Sequence, residues 1–346
     1  MDQLDWIVTG IKKENEATKT FYLMMDGADL IQYHPGQFLT FLFRHNQHEL
    51  RRSYSFSSAP GIDPQPSVTI KRIPNGEISR YFHDHISPGD KLKSLRPAGR
   101  FTVDGGADSP QQLFFIAGGS GIVPIFSLIK HVLSTESLSE IILLNQNHDE
   151  ESVIFSGQLN EWQSRFPHRF RIFNFLSSPL EKSLGTHRLT NELLETTIGK
   201  WKNPDCETLF YLCGPESFMR MAQFTLKLMG MNDRQIRREY FTVQFVPPPP
   251  LALDPLPKNV HISMPGREFE FESLYPNTIL QSALDHGIQI PYSCRGARCS
   301  TCMAKCVSGK VRMSMNEVLT DQDLEQGWIL TCVGYAATDV SLSFEA

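Results

Sequence analysis

The sequence predicts three domains of different class: a small antiparallel β-barrel, a doubly wound α/β domain, and a compact α+β module at the carboxyl end. Three observations predict it. From Asp5 to about Val103, short strand-like segments are separated by turn signals. From Leu113 onward, continuous apolar runs alternate with segments of helical periodicity. A proline-rich run then breaks the pattern before Lys258, where alternating strands and a cysteine-rich loop begin. At 346 residues the chain exceeds a single ordinary core, and roughly 150 residues per domain also gives two or three domains.

The turn signals of the first region are PGQ at Pro35 to Gln37, PNG at Pro74 to Gly76 and PGD at Pro88 to Asp90. Evenly spaced strands between such turns suit a small barrel. GGADSP, Gly105 to Pro110, is the expected boundary. Beyond it LFFIA reads as a buried parallel strand, and IVPIFSLIKHVLST follows with its apolar residues at helical spacing. IILLNQN, FRIFNFLSS and TLFYLCG supply further buried strands, each followed by a helix-like stretch, so a doubly wound sheet is expected over about 111 to 245. VPPPPLALDPLP carries six prolines and reads as a semi-rigid linker, its four consecutive prolines spanning roughly 12 Å as polyproline II. The last segment opens with two alternating strands, VHISM and REFEFES, and contains a helix, TILQSALDHG, before the cysteine loop. The expected domains are therefore 1–105, 106–245 and 258–346, with a linker at 246–257; no internal repeat is visible.

Composition narrows the function. Hydrophobic residues make up 40% and charged residues 21%, as in a globular protein, and the formal net charge of -5 argues against binding driven by nucleic-acid phosphates. No apolar run approaches the roughly 20 residues needed to cross a bilayer, and the first residues lack the basic and apolar pattern of a signal peptide. Cytoplasm is the expected compartment. Seven cysteines, an odd number crowded towards the end of the chain, point to metal chemistry rather than a disulfide framework.

Cys294, Cys299 and Cys302 in CRGARCSTC have C-x4-C-x2-C spacing, and Cys332 lies farther on. That is the plant-type ligand arrangement for a two-iron, two-sulfide cluster. Soft thiolates suit iron bridged by sulfide, while Gly296 and the small Ala297, Ser300 and Thr301 let backbone amides approach the sulfurs. A structural zinc site is the alternative, but it favours two paired C-x2-C knuckles, and only one pair is present. Cys306, just beyond the loop, reads as a small packed residue rather than a ligand. The segment resembles plant-type ferredoxins over nearly its whole length, including LDHGIQIPYSC and the returning ILTCVGY. The resemblance implies a β-grasp fold and a low-potential cluster near the surface, serving as a one-electron exit.

The rest of the chain resembles the ferredoxin-NADP reductase superfamily. Arg52, Tyr54, Ser55 and Ser58 match its R-x-Y-S-x-x-S signature, with GQF before and GEIS after it. A guanidinium can pair bidentately with a pyrophosphate. The resemblance implies that the barrel binds FAD, with Arg52 on the pyrophosphate, Tyr54 stacked on the isoalloxazine, Ser55 near its reactive nitrogen, and the amides of Gly76, Glu77, Ile78 and Ser79 on the phosphates. Ser53, Thr69, Ile70 and Lys71 complete the implied flavin set, and PAGRF, Pro97 to Phe101, resembles the segment that closes the barrel.

AGGSGIVPI places Gly118, Gly119, Ser120 and Gly121 between a buried strand and a helix, where exposed amides and the helix dipole favour a dinucleotide phosphate. Pro124 departs from G-x-G-x-x-G but matches the superfamily's own variant. YLCGPESFM matches its C-G-P-x-x-x-M element, implying that Cys213, Gly214, Pro215, Glu216 and Met219 lie at the nicotinamide, with Cys213 acting by position rather than as a nucleophile. Glu239 and Phe241 in REYFTV match an E-x-F element beside the flavin. Ser55, Cys213, Glu239 and Phe241 are thus the candidate catalytic residues, and Cys294, Cys299, Cys302 and Cys332 the metal ligands.

Taken whole, the chain resembles fused reductases of the phenylacetyl-CoA oxygenase reductase type. The implied function is passage of electrons from NAD(P)H through FAD and a 2Fe-2S cluster to a protein acceptor, foremost an oxygenase component. A reductase serving a desaturase or hybrid-cluster protein, or a non-catalytic redox-sensing module, are the alternatives. Members that prefer NADPH bind its 2′-phosphate with two arginines, where this chain has His148 and Ser178. The expectation therefore leans to NADH, although Lys182 and Arg188 are near enough in sequence to replace them.

Overall fold

The structure is a computed structural model describing residues 3–27, 31–45, 48–103, 110–180, 188–241, 254 and 256–344. Residues 105–109 of the expected boundary, Lys182 and most of the proline-rich run lie outside the described residues. The chain divides into two compact units, Gln3–Phe241 and the segment from Thr242 to Ala346 together with the first two residues.

The amino-terminal part of the first unit is the expected antiparallel sheet. β1 (Gln3–Asn15), β2 (Thr18–Met25), β3 (Phe38–His45), β4 (His48–Ser55), β5 (Ser67–Lys71) and β6 (Lys91–Leu95) lie in the order β4-β3-β6-β1-β2-β5. A bridge between Phe56 and Val68 links the two edges. Alternation along the strands turns Trp6, Val8, Phe21, Leu23, Leu39 and Phe41 inward. The PNG turn leads into a helix rather than a strand: α1 (Glu77–His85) drops Ile78 and Phe82 into the barrel. The Phe82 ring meets Phe21, Phe41, Phe43 and Tyr54 edge-on at 5.1 to 5.6 Å, closing the core beside the signature strand β4.

The second half of this unit is a five-stranded parallel sheet. β7 (Gln111–Gly118), β8 (Glu140–Asn147), β9 (Phe170–Leu176), β10 (Glu207–Cys213) and β11 (Ile236–Glu239) run in the order β11-β10-β7-β8-β9. Apolar residues on both faces of β7 explain its unbroken run: Leu113 and Phe115 pack under α2 (Ile122–Thr135) and α3 (Ser156–Arg165). Phe114 and Ile116 pack under α4 (Asn191–Trp201) and α5 (Glu216–Leu228) on the other side. β11, sequence IRRE, is an edge strand that the apolar pattern did not reveal, since only Ile236 and Glu239 are buried.

Polar contacts fasten the barrel to α2. Ser127 Oγ donates to the Ser58 carbonyl at 2.6 Å, and the buried Lys130 ammonium pairs with Asp63, whose carboxylate also accepts from Ala59 N–H. Burial pushes the Lys130 ammonium below its ordinary pKa, opposed by the Asp63 charge.

The second unit carries a mixed sheet, β13 (Arg267–Ser273), β12 (Lys258–Met264), β18 (Val340–Ser343), β14 (Met303–Ser308) and β16 (Trp328–Leu330), in that order. α6 (Ile279–Asp285) packs Ile279, Leu280 and Ala283 against it, and Thr278 caps the helix through Gln281 N–H. β15 (Val311–Met313) pairs with β17 (Gly334–Ala336), and α7 (Asp321–Glu325) precedes β16. This sheet with one helix against it is the expected α+β module.

Breaking a buried ion pair strands the surviving charge, at about 3–5 kcal/mol, whereas replacing it with an apolar side chain is often nearly neutral. Asp63→Ala is therefore expected to lower stability by that amount, and the double variant Asp63→Ala with Lys130→Met to recover most of it, as read by urea unfolding.

Candidate functional site

Three sequence-distant candidates meet where the barrel adjoins the parallel sheet. Parallel pairing sets Cys213 at the end of β10 in register with Glu239 on β11 and Ala117 on β7. Ser55, the last residue of β4, donates its Oγ to Glu239 Oε2 at 3.2 Å. Ser55 and Glu239 are nearly buried and Cys213 wholly so. Burial first, then the Glu239 carboxylate, holds the Cys213 thiol far above its ordinary pKa. The thiol is thus a packed, neutral group, consistent with a positioning role and not with nucleophilic attack. Phe241, two residues on, leaves its ring 46% exposed at the end of the unit.

The other flavin candidates divide by face. On β4, Arg52 and Tyr54 share the side of their β3 partners Phe41 and Leu39. The Tyr54 ring lies 5.4 Å from Phe82 and burial pushes its phenol well up, so it presents a neutral aromatic. Arg52 is exposed and donates to the Arg51 carbonyl. Ser53 points to the opposite face, sharing a 2.9 Å hydrogen bond with Thr40. Thr69 is bonded to Thr20 and Ser57, and Ile70 is buried with its carbonyl on His83, so neither side chain is presented outward. The Ser79 hydroxyl staples its own turn, accepting from Ile73 N–H and donating to the Gly76 carbonyl. A Cβ on Gly76 would stand 2.4 Å from that hydroxyl. Gly76 gives α1 no side-chain cap, which leaves the amides of Glu77, Ile78 and Ser79 for an anion. An exposed guanidinium, a neutral ring and an uncapped helix start are what a flavin phosphate and ring system require, so the residues fit FAD.

The glycine turn does two jobs. A Cβ on Gly121 would lie 2.0 Å from the Cys213 carbonyl oxygen, one on Gly118 2.8 Å from Pro215 Cδ, and one on Gly214 3.0 Å from Gly118 Cα. Those three glycines let the β7–α2 and β10–α5 turns nest against each other. Gly119 differs: its φ is +53°, and the nearest atom a Cβ would meet is Lys71 Nζ at 3.9 Å. Space therefore opens before Gly119 and Ser120 at the start of α2, with a cation over it, which fits a dinucleotide pyrophosphate. Lys71 was expected among the cofactor-binding residues; no sequence signal announces that its side chain reaches the neighbouring domain. Pro215 and Glu216 begin α5, while Met219 is wholly buried in the layer beneath and offers packing alone.

In the second unit the cysteines fall in two neighbouring pairs, Cys294 with Cys299 and Cys302 with Cys332, each close enough for its thiols to bias one another's ionisation. Cys332 is brought in from beyond β16 because Thr331 donates both its N–H and its Oγ to the Cys302 carbonyl, each at 3.1 Å. The neighbouring Cys299 thiol is the largest cause holding the Cys294 thiol below its ordinary pKa, and the same interaction raises Cys299. Gly296 N–H points at Cys294 Sγ and Cys294 N–H at Cys299 Sγ, both at 3.4 Å. Arg295, Ala297 and Ser300 adopt positive φ to turn the loop this tightly. Four sulfurs in two pairs, each pair beside inward-facing amides, suit two irons better than one tetrahedral ion. Cys306 donates to the Ser308 carbonyl on β14 and stays outside the set.

Comparison with known proteins agrees along the whole chain. Residues 5–103 match the oxidoreductase FAD-binding domain family, 115–223 the oxidoreductase NAD-binding domain family, and 263–337 the 2Fe-2S iron-sulfur cluster binding domain family. These define an NAD(P)H-dependent flavin and iron-sulfur oxidoreductase. The chain is 31% identical over 349 residues to one of the proteins that make up the 1,2-phenylacetyl-CoA epoxidase of Escherichia coli, covering 98% of this chain and 97% of that protein. It is 30% identical to the ferredoxin reductase component of 3-ketosteroid-9-alpha-monooxygenase of Mycolicibacterium smegmatis, covering 97% and 94%. Among solved structures, phthalate dioxygenase reductase aligns with a TM-score of 0.60 at 23% identity over 99% of this chain and 98% of that one. An intact self-sufficient cytochrome P450 monooxygenase aligns at 0.73 and 19% identity over 99% of this chain, which spans 40% of that one. The chain belongs to the ferredoxin-NADP reductase superfamily, in the branch that fuses flavin, nicotinamide and carboxyl-terminal 2Fe-2S domains.

Gly121→Ala is expected to strain the contact with Cys213 by about 1–3 kcal/mol. The variant should keep its yellow colour but show NADH-driven bleaching weakened by about ten- to hundredfold, in anaerobic stopped-flow absorbance.

Proposed function

We propose that this chain is the reductase component of a multicomponent oxygenase, delivering electrons one at a time to an oxygenase protein. The observation that carries the reading is the paired-cysteine loop, a one-electron station in the same chain as a nicotinamide and a flavin domain. The names of the relatives support the acceptor: each serves a monooxygenase, an epoxidase or a dioxygenase system. Bound FAD supplies a carrier that accepts two electrons together and releases them singly.

In this reading Arg52 and the amides of Gly76 to Ser79 hold the flavin phosphates, and Tyr54 backs its ring. Lys71 and the turn from Gly118 to Gly121 hold the nucleotide pyrophosphate. Cys213, Glu239 and Ser55 shape a dry wall where the nicotinamide is presented, and Phe241 covers the flavin. Orientation and exclusion of water are the protein's contribution, and no acid-base pair is needed. Cytoplasm is the proposed compartment, because NAD(P)H is available there and its reducing conditions keep thiols unpaired.

Cys299→Ser should retain flavin and NADH-driven reduction of ferricyanide, while reduction of cytochrome c falls by at least about tenfold. Equal rates with both acceptors would remove the cluster from the exit route. Arg52→Ala should lower the flavin content of purified protein, read as the ratio of absorbance at 450 nm to 280 nm; an unchanged ratio would contradict its phosphate role.

A further inference from the structure

Resting on that reading of the nicotinamide domain, the geometry points to Glu150 as the residue that selects an unphosphorylated adenosine ribose, and hence NADH over NADPH. A dinucleotide on a doubly wound sheet lies across the carboxyl ends of the strands, its pyrophosphate on the glycine turn, and an acid beyond the second strand takes the ribose 2′-hydroxyl. Here the glycine turn follows β7, and the next strand is β8. The adenosine end of the crevice is therefore the ground between the loops after β8 and β9.

Those loops are zipped together. Ser177 N–H donates to the Asn147 carbonyl at 3.0 Å and Ser178 N–H to the His148 carbonyl at 2.7 Å, while Ser177 Oγ and His148 Nδ1 stand 3.4 Å apart. Two carboxylates follow. Asp149 is turned back into its own loop, where its Oδ1 accepts from Ser152 N–H at 2.8 Å. Glu150 is instead carried across to the other loop, its Oε2 accepting from Leu180 N–H at 2.9 Å. A carboxylate anchored there can accept a hydrogen bond from a ribose hydroxyl. A 2′-phosphate brings about -1.5 to -2 charges to the same place and is repelled. The rivals are Lys182, which lies outside the described residues, and Arg188, an exposed cation whose neighbour Leu189 donates its N–H to Gln146 Oε1 at the end of β8.

Redox-inert probes separate ribose selection from electron transfer. In calorimetry on the full chain with its flavin and cluster, 5′-AMP should bind at least about tenfold tighter than 2′,5′-ADP. Glu150→Gln, which keeps the length and the bond to Leu180, should narrow that gap, chiefly by tightening 2′,5′-ADP. The ratio of kcat/KM for NADH to that for NADPH should fall in parallel, through KM and not kcat. Equal or tighter binding of 2′,5′-ADP by the unaltered chain would overturn the proposal. So would a gap that Glu150→Gln leaves unmoved, or one that Arg188→Ala widens by weakening 2′,5′-ADP alone. Failure of the loaded chain to oxidise NADH would count against the proposed function, while the two probes would still decide the ribose question.

Discussion

Nicotinamide surrenders two electrons together as hydride, whereas a two-iron cluster takes one. That mismatch is the constraint to which the chain is built. In the proposed reading it is met by three stations in one polypeptide, each with a different chemistry of attachment: a guanidinium and helix amides for a flavin phosphate, a glycine turn with a cation for a dinucleotide, and thiols for iron. Each station is found where its own fold offers it. The uncapped start of α1 follows the turn after β5, the turn after β7 lies at the carboxyl edge of a parallel sheet, and the cysteine loop precedes β14.

Within the first unit, close packing and polar contacts between its two domains bear most of the precision. Gly121 and Gly214 allow two strand-to-helix turns to touch at backbone distance, while the pairing of β10 with β11 sets Cys213 beside Glu239. Ser55 then ties that edge to the barrel through the Glu239 carboxylate, and Lys130 with Asp63 ties α2 to the loop that follows the signature. The reacting edge is thus bounded by side chains from both domains, none of which needs an unusual pKa in order to act.

Much of this was legible from the sequence because its physical signals are local. Short apolar runs such as LFFIA and the IILL of IILLNQN, bounded by polar segments, fit strands buried on both faces, and cysteine spacing survives without any knowledge of the fold. α1 was not read as a helix because its nine residues follow a glycine turn in a region of short strands, and its anchor, Phe82, draws its partners from β2, β3 and β4. β11 was hidden because IRRE is charged, and its strand character comes from pairing with β10. Lys71 over Gly119, Lys130 with Asp63, and Glu150 across to Leu180 depend on contacts between distant segments.

The central claim is that four thiols, from residues 294, 299, 302 and 332, hold a two-iron cluster filled with electrons from a nicotinamide. Electron paramagnetic resonance of the full chain, frozen after anaerobic mixing with NADH, tests it most directly when iron and sulfide are assayed on the same sample. The account predicts equal amounts of iron and sulfide and a spin-half signal that grows with added NADH. Zinc in place of iron, or a cluster that stays silent under excess NADH, would contradict it.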